Sequence, residues 1–345
     1  MNLESVGKIE YVELDKPKIG FNDVLVEVKA AGICGSDIPR IYETGAHNMP
    51  LIPGHEFAGE VVCAPGVGSK WLGKRVGVFP LIPCRKCAPC LDRKYEMCRN
   101  YDYLGSRSDG AFAEFVKVPR LNLIELPDNV SYKEAAMLEP MAVASHAIRL
   151  VRNLDGMIVI TGLGTIGLFV LMLLIEKVGV DNILVVGNKD IQKEKALALG
   201  IKEDSYCDAS KDDTESFIMD NTNGLGADVY FECIGNNKAI NNAIKCTKYG
   251  GEVKLVGNPA SDISFERDIY WKILRNQLTV SGTWNSSFLH DENDDWNYVL
   301  RKIANKKINP EMMITHEFNL ANLKKGFEIM KNKSEPYIKI MMINS

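Results

Sequence analysis

Residues 156–175 read GMIVITGLGTIGLFVLMLLI, twenty positions without a charge. A run of that length is long enough to cross a bilayer. Three glycines, Gly162, Gly164 and Gly167, break it near its start. The pattern therefore reads as a short apolar strand, a tight turn and a buried helix, not as a span. The glycine spacing is G-x-G-x-x-G, placed after a strand and at the opening of a helix. The first glycine permits the turn, the second lets backbone approach a pyrophosphate, and the third allows close helix–strand packing. Helix N-terminal amides then face the phosphates. Gly162, Gly164 and Gly167, with Thr165 and Ile166 between them, are the candidate dinucleotide contacts.

Outward from this turn the chain has two rhythms. From residue 157 the runs MIVITG, NILVVG, DVYFECIG and GEVKLVG alternate with helical stretches such as KEKALALG and NKAINNAIKC. That alternation predicts a right-handed, doubly wound parallel sheet. Residues 1–130 carry VLVEVKAAG, FAGEVV, RVGVFP and FAEFVKVP between Gly and Pro turns, which predicts a β-rich, barrel-like domain. Ser131 followed by Glu134 is a capping box opening a helix toward residue 150. After about 285 the alternation stops and HDENDDWN leads into a mixed tail. The expected divisions are 1–150, 151–284 and 285–345, an α/β chain of at least two domains.

The 345 residues suit two cores, and 46% apolar with 25% charged is ordinary for a globular protein. A net charge of −4 offers no broad basic face, which excludes nucleic acid as the expected partner. The first residues, MNLESVGKIEYVELDKP, lack the apolar core of a signal peptide, and the expectation is a cytoplasmic protein with no membrane partner.

Four of nine cysteines crowd together: Cys84, Cys87, Cys90 and Cys98, spaced C-x2-C-x2-C-x7-C. Four thiolates suit zinc and leave no open position, so this lobe (84–98) is read as a structural site. Iron–sulfur clusters also take four cysteines, but the x7 gap fits neither ferredoxin spacing. A second donor set is scattered: Cys34 in GICGSD, His55 and Glu56 in PGHEFAGE, and Glu139 in MLEPMAVASHA. Cys34, His55 and Glu139 with water match a catalytic zinc. Singly, His55 also reads as a hydrogen-bonded core histidine and Cys34 as a small buried residue.

CGSD, GHEFAGEV, the four-cysteine lobe, LEP and TGLGTIG, in this order, resemble the zinc-dependent medium-chain dehydrogenase/reductase family, from about residue 20 to the C-terminus. Within it, CGSDIPRIYETGAH, PLIPC, YLGSRSDGAFAEF and KILRNQLTVSGTW are similar to galactitol-1-phosphate 5-dehydrogenases and other polyol(-phosphate) dehydrogenases. The resemblance implies a Rossmann domain inserted into a GroES-like catalytic domain that the C-terminal tail completes. It implies catalytic zinc on Cys34, His55 and Glu139, with Glu56 exchanging with water. It also implies that Ser36 passes the alcohol proton outward. Many alcohol dehydrogenases carry a relay histidine where this chain has Pro39, so the proton leaves Ser36 through ribose or water. A homodimer or homotetramer joined through Rossmann strands follows from the same resemblance.

The second strand ends NILVVGNKD, with Gly187, Asn188 and Lys189 where NAD-binding chains carry an acid. The loss of that carboxylate favours NADP(H), because Asn188 and Lys189 donate hydrogen bonds and positive charge to a 2′-phosphate. The open alternative is that Asp190 reaches the ribose of NAD(H). For a phosphorylated polyol, Arg40 and Arg107 are the candidate phosphate partners, with Lys272 or Arg275 behind them. An unphosphorylated polyol such as sorbitol, or a simple secondary alcohol, is the runner-up substrate. A non-catalytic nucleotide-binding member and a zinc-free reductase of the same fold stand further off, since every metal donor is present. His47 is left without a role.

Overall fold

The computed structural model describes residues 1–344. The run after Gly156 folds as the strand Ile158–Thr161, buried at all four positions, and the helix Thr165–Val178 follows the glycine turn. β-branched residues buried on both faces are what a central parallel strand requires. This strand lies third in a six-stranded sheet, in the order 206–208, 183–187, 158–161, 227–232, 247–255, 279–282. Every neighbouring pair is parallel. The sheet runs outward from the first strand in both directions, so a crevice opens where the order reverses. The core of this unit packs Val159, Leu184, Tyr230, Ile240 and Val253. Burial of each such side chain contributes about 1.5–3 kcal/mol.

The turn keeps its glycines for distinct reasons. Gly162 has φ +92°, and a Cβ there would come within 2.5 Å of Ile234. A Cβ on Gly167 would come within 2.1 Å of the Gly162 carbonyl oxygen, so any side chain would push the helix off the strand. Gly164 meets nothing within 4 Å.

The chain divides into two compact units, one of Met1–Ala142 with Ser286 onward, the other Val143–Asn285. The first boundary falls inside the helix Leu138–Arg149 instead of at residue 150, and Glu139 therefore belongs with the first unit. In that unit a seven-stranded sheet follows the path 314–318, 339–343, 23–33, 56–63, 75–78, 123–125, with 115–119 also pairing to 23–33. Strand 23–33 is antiparallel to each of its three partners. One of them is Lys339–Ile343 near the C-terminus, with Ile340 opposite Ile33. The core holds Val24, Val26, Phe57, Phe112 and Phe327, so both ends of the sequence share it. The capping box forms as expected: Ser131 Oγ accepts from Glu134 N, and Glu134 Oε2 accepts from Ser131 N. Among the described residues no helix is long and apolar enough to cross a membrane.

Candidate active site

Two distant segments of the first unit bring Cys34, His55 and Glu56 together, with their ligand atoms all within 4.8 Å of one another. Cys34 follows the long strand Asp23–Ile33, while Glu56 begins the strand that pairs with it, Gly32 opposite Glu56. Pairing of these strands is thus what sets the donors side by side. Glu139, expected as the third ligand, stands outside this group. Its carboxylate accepts a 3.1 Å hydrogen bond from the Tyr103 hydroxyl. Burial lifts the Glu139 carboxyl to about 7, and the nearby Glu56 adds to the rise. The Tyr103 hydroxyl is itself pushed well above its ordinary range by burial and by Glu139.

Each donor has a partner on its far side. Asp37, fully buried three residues after Cys34, places Oδ1 3.5 Å from His55 Nδ1. That nitrogen is buried and makes no hydrogen bond. Burial pulls the His55 pKa down, but Asp37 and Cys34 outweigh it and hold the ring well above its usual value. Asp37 also accepts from Cys34 N through Oδ2 at 3.0 Å. The Arg40 guanidinium gives its Nη1 to Asp37 Oδ1 at 2.6 Å. Arg40, a candidate for substrate phosphate, is therefore engaged in the ion pair that backs His55.

Glu56 is paired with Lys339, Nζ to Oε2 at 2.5 Å, with side chains only 2% and 1% exposed. Lys339 Nζ also donates to the Ile33 carbonyl at 3.1 Å. Burial works against the Lys339 charge, but Glu56 and Cys34 outweigh it and raise the pKa. The Glu56 carboxylate lies against Gly32, where a Cβ would come within 2.3 Å of Oε2. Ser36 is exposed and donates to Cys34 Sγ at 3.3 Å.

Asp37, Tyr103 and Lys339 were not singled out from sequence. Asp37 left a trace, as the acid of CGSD. Lys339 left a fainter one, a lone charge inside the apolar run YIKIMMI, which demands a buried counter-charge. Tyr103 left none.

The four-cysteine lobe closes as its spacing predicts. Cys84, Cys87, Cys90 and Cys98 put all four sulfurs within 4.8 Å of one another. Cys84 and Cys90 are 4.0 Å apart, Cys87 and Cys98 3.9 Å. Tetrahedral zinc–thiolate bonds of about 2.3 Å require sulfurs roughly 3.8 Å apart, so the set fits the ion. Hydrogen bonds from the Arg99 and Cys90 backbone lower the Cys87 thiol to about 6, whereas burial lifts Cys90 to about 12.

In the second unit a cavity of about 700 Å³ is lined by Gly162, Gly164, Gly187, Asn188, Lys189 and Gln192, among others. The open face of Gly164 belongs to it. Thr165, Ile166 and Gly167 do not line it, and neither does Asp190. Acids enter from another segment, as Asp212, Asp213 and Glu215. Asp213 Oδ2 is engaged as a helix cap on Ser216 N. At Gly187 a Cβ would come within 2.4 Å of the Tyr206 hydroxyl and 3.0 Å of Gln192 Oε1, so the place of an acidic side chain is filled. Lys272, in this same unit, donates to the Lys245 carbonyl, and Arg275 stacks on Trp271.

The fold has counterparts among known proteins. Residues 20–128 match the alcohol dehydrogenase GroES-like domain, and 165–305 match the zinc-binding dehydrogenase domain. The chain is 31% identical over 318 residues to galactitol 1-phosphate 5-dehydrogenase of Escherichia coli K12, covering 90% of each. It is 31% identical over 332 residues to sorbitol dehydrogenase of Halalkalibacterium halodurans, covering 94% of this chain and 93% of that one. A structure described as a zinc-binding dehydrogenase from Sinorhizobium meliloti 1021, bound to NADP, is 28% identical with a TM-score of 0.89 over 99% and 98% of the chains. The chain belongs to the zinc-dependent medium-chain dehydrogenase/reductase family, an oxidoreductase of the alcohol and polyol dehydrogenase class.

Proposed function

We propose that the protein moves a hydride between NADP(H) and the secondary carbinol of a sugar-alcohol phosphate such as galactitol-1-phosphate. The observation that carries this reading is the donor set of Cys34, His55 and Glu56 within 4.8 Å, with Glu139 buried beside it. Zinc held there supplies a Lewis acid to the alcohol oxygen, and nicotinamide supplies the hydride acceptor.

Cys34, His55 and Glu139 are the resident ligands in this reading, and Glu56 is the carboxylate that exchanges. Two neighbours support the division. Glu56 already has a counter-charge in Lys339, whereas Glu139 has a neutral tyrosine and is short of one. Asp37 faces Nδ1 of His55, which leaves Nε2 for the metal, as in carboxylate–histidine–zinc triads. Ser36 Oγ takes the alcohol proton and passes it to water or ribose, since Pro39 offers no imidazole. The four thiols of the lobe hold a second, structural zinc.

The lean to NADP(H) rests on the cavity. Asn188 and Lys189 line it and Asp190 does not, and Tyr206 with Gln192 fills the place of an acid at Gly187. The NADP-bound relative supports the same choice. The phosphate on the substrate rests on the galactitol 1-phosphate relative, while the sorbitol relative at equal identity keeps free polyols in the test. Assembly as a homodimer or homotetramer rests on the strand Thr279–Gly282, the last of the six-stranded sheet.

One plate of initial rates decides among these. It crosses NADP and NAD with galactitol-1-phosphate, ribitol-5-phosphate, galactitol, sorbitol and a simple secondary alcohol. The expected result is fastest turnover of a phosphorylated polyol with NADP. Preference for free polyols removes the phosphate, and preference for NAD removes the reading of Gly187, Asn188 and Lys189.

A further inference from the structure

We propose that Arg107 is the anion anchor of the substrate pocket, its guanidinium taking the phosphate monoester end of the polyol. This rests on the sugar-alcohol-phosphate reading and assigns the residue that recognises the charged group.

The two arginines that sequence offered have separate fates. Arg40 is spent on Asp37, 2.6 Å away. The Arg107 side chain makes no ion pair among the described residues, and its guanidinium carbon instead stacks 4.3 Å from the centre of the Tyr101 ring. Stacking holds the plane of the guanidinium and leaves its five N–H groups unspent, which suits bidentate capture of a phosphate. A cation with no acid beside it, half-buried in a turn, is a group short of its partner.

The turn is also tied to the metal donors. Tyr101 packs edge-on against Tyr103 at 6.1 Å, and Tyr103 packs edge-on against His55 at 5.7 Å. Three backbone bonds zip the following segment onto the residues before His55: Gly110 N to Ile52 O, Ala111 N to Gly54 O, and Phe112 N to Pro53 O. Gly105 and Gly110 both lie directly on Gly54, where a Cβ would come within 2.4 Å and 2.1 Å of its carbonyl oxygen. Asn48 Nδ2 holds the Arg107 carbonyl at 3.0 Å. Arg107 therefore stands at a set distance from His55, along a short line of aromatic contacts. A cation tied in this way to the metal donors can read one end of a chain-like substrate whose other end reacts beside them. Ser108, next in the turn, keeps a buried hydroxyl without a hydrogen-bond partner, a second unmet polar group.

The test compares zinc-loaded wild type with Arg107→Ala and Arg107→Lys, using galactitol-1-phosphate, galactitol and L-threonine as alcohols. Binding of galactitol-1-phosphate by calorimetry and a thermal melt accompany the kinetics. Arg107→Ala is expected to lower kcat/KM for galactitol-1-phosphate roughly 10- to 100-fold, mostly through KM. Turnover of galactitol should fall much less than that of galactitol-1-phosphate, since the free polyol offers the guanidinium no anion. Arg107→Lys should recover part of the loss, since it keeps the charge without the planar fork. Equal losses for phosphorylated and free polyol, or no loss at all, overturn the assignment. Should wild type show no preference for the phosphorylated polyol, the phosphate reading fails by itself. The anchor then survives only if Arg107→Ala selectively lowers turnover of L-threonine, whose anion is a carboxylate.

Discussion

The two metal-donor clusters of this chain are built on opposite plans. In the lobe, four sulfurs from one fifteen-residue segment face one another and nothing else is needed. In the active site, donors arrive from three segments, and each is backed by a charged or polar neighbour: Asp37 behind His55, Lys339 behind Glu56, Tyr103 behind Glu139. In the lobe the groups that tune Cys87 are backbone amides and the neighbouring thiols. In the proposed mechanism Glu56 exchanges on the metal, and a buried carboxylate off the metal has to be balanced, here by Lys339.

The largest effects should separate the clusters outright. Cys90→Ser is expected to abolish soluble folded protein or lower Tm steeply, since a structural zinc contributes on the order of 10 kcal/mol to the fold it closes. Cys34→Ala should fold with a near-normal melt and lose activity about a thousandfold or more, as several kcal/mol of transition-state stabilisation disappear. Zinc content by elemental analysis should fall by one equivalent in each variant. Loss of activity without loss of metal in Cys34→Ala would erase the distinction.

Next in size is the buried pair. Lys339→Met strands the Glu56 carboxylate and should cost about 3–5 kcal/mol in denaturant unfolding. The double variant Lys339→Met with Glu56→Gln should regain most of it. If the single variant is neutral, Glu56 is not balanced by Lys339.

Metal removal adds a pH dependence to the active site. The Glu139 carboxyl, at about 7 when folded, stays protonated where the unfolded chain has released its proton. Between pH about 4.5 and 7 the unfolded state therefore binds fewer protons, and stability falls as pH rises. His55, raised in the folded protein, stabilises below the unfolded histidine pKa and loses that contribution as pH climbs, so it acts with the same sign. Chelated protein should thus be less stable at pH 7.5 than at pH 5, by about 2 kcal/mol for Glu139 alone. Zinc-loaded protein should show a flatter profile. Parallel melting curves for the two forms across this range would show that Glu139 lies away from the metal.

The smallest effect concerns the cofactor cavity. Gly187→Asp alone should not create an NAD enzyme, because its side chain meets the Tyr206 hydroxyl and Gln192. The crowding should cost about 1–3 kcal/mol of stability and weaken NADP. Adding Tyr206→Ala should relieve the strain and raise the NAD to NADP ratio. A clean switch by the single substitution would mean that Tyr206 moves aside freely.

What the sequence by itself determined is what covalent spacing enforces. The G-x-G-x-x-G turn, the four-cysteine lobe, the Ser131 cap and the change of rhythm at 157 each involve residues a few positions apart. For these, chain geometry alone dictates which groups meet. The Arg40 pair with Asp37, three residues back, is local as well, whereas only the tertiary structure laid the Arg107 turn on Gly54, through Gly105. Only it decided that Lys339 reaches a carboxylate 283 residues earlier and that Tyr103 holds Glu139. Such contacts depend on strand pairing and on which buried charge lacks a partner. Those are properties of the packed interior, which no local spacing encodes.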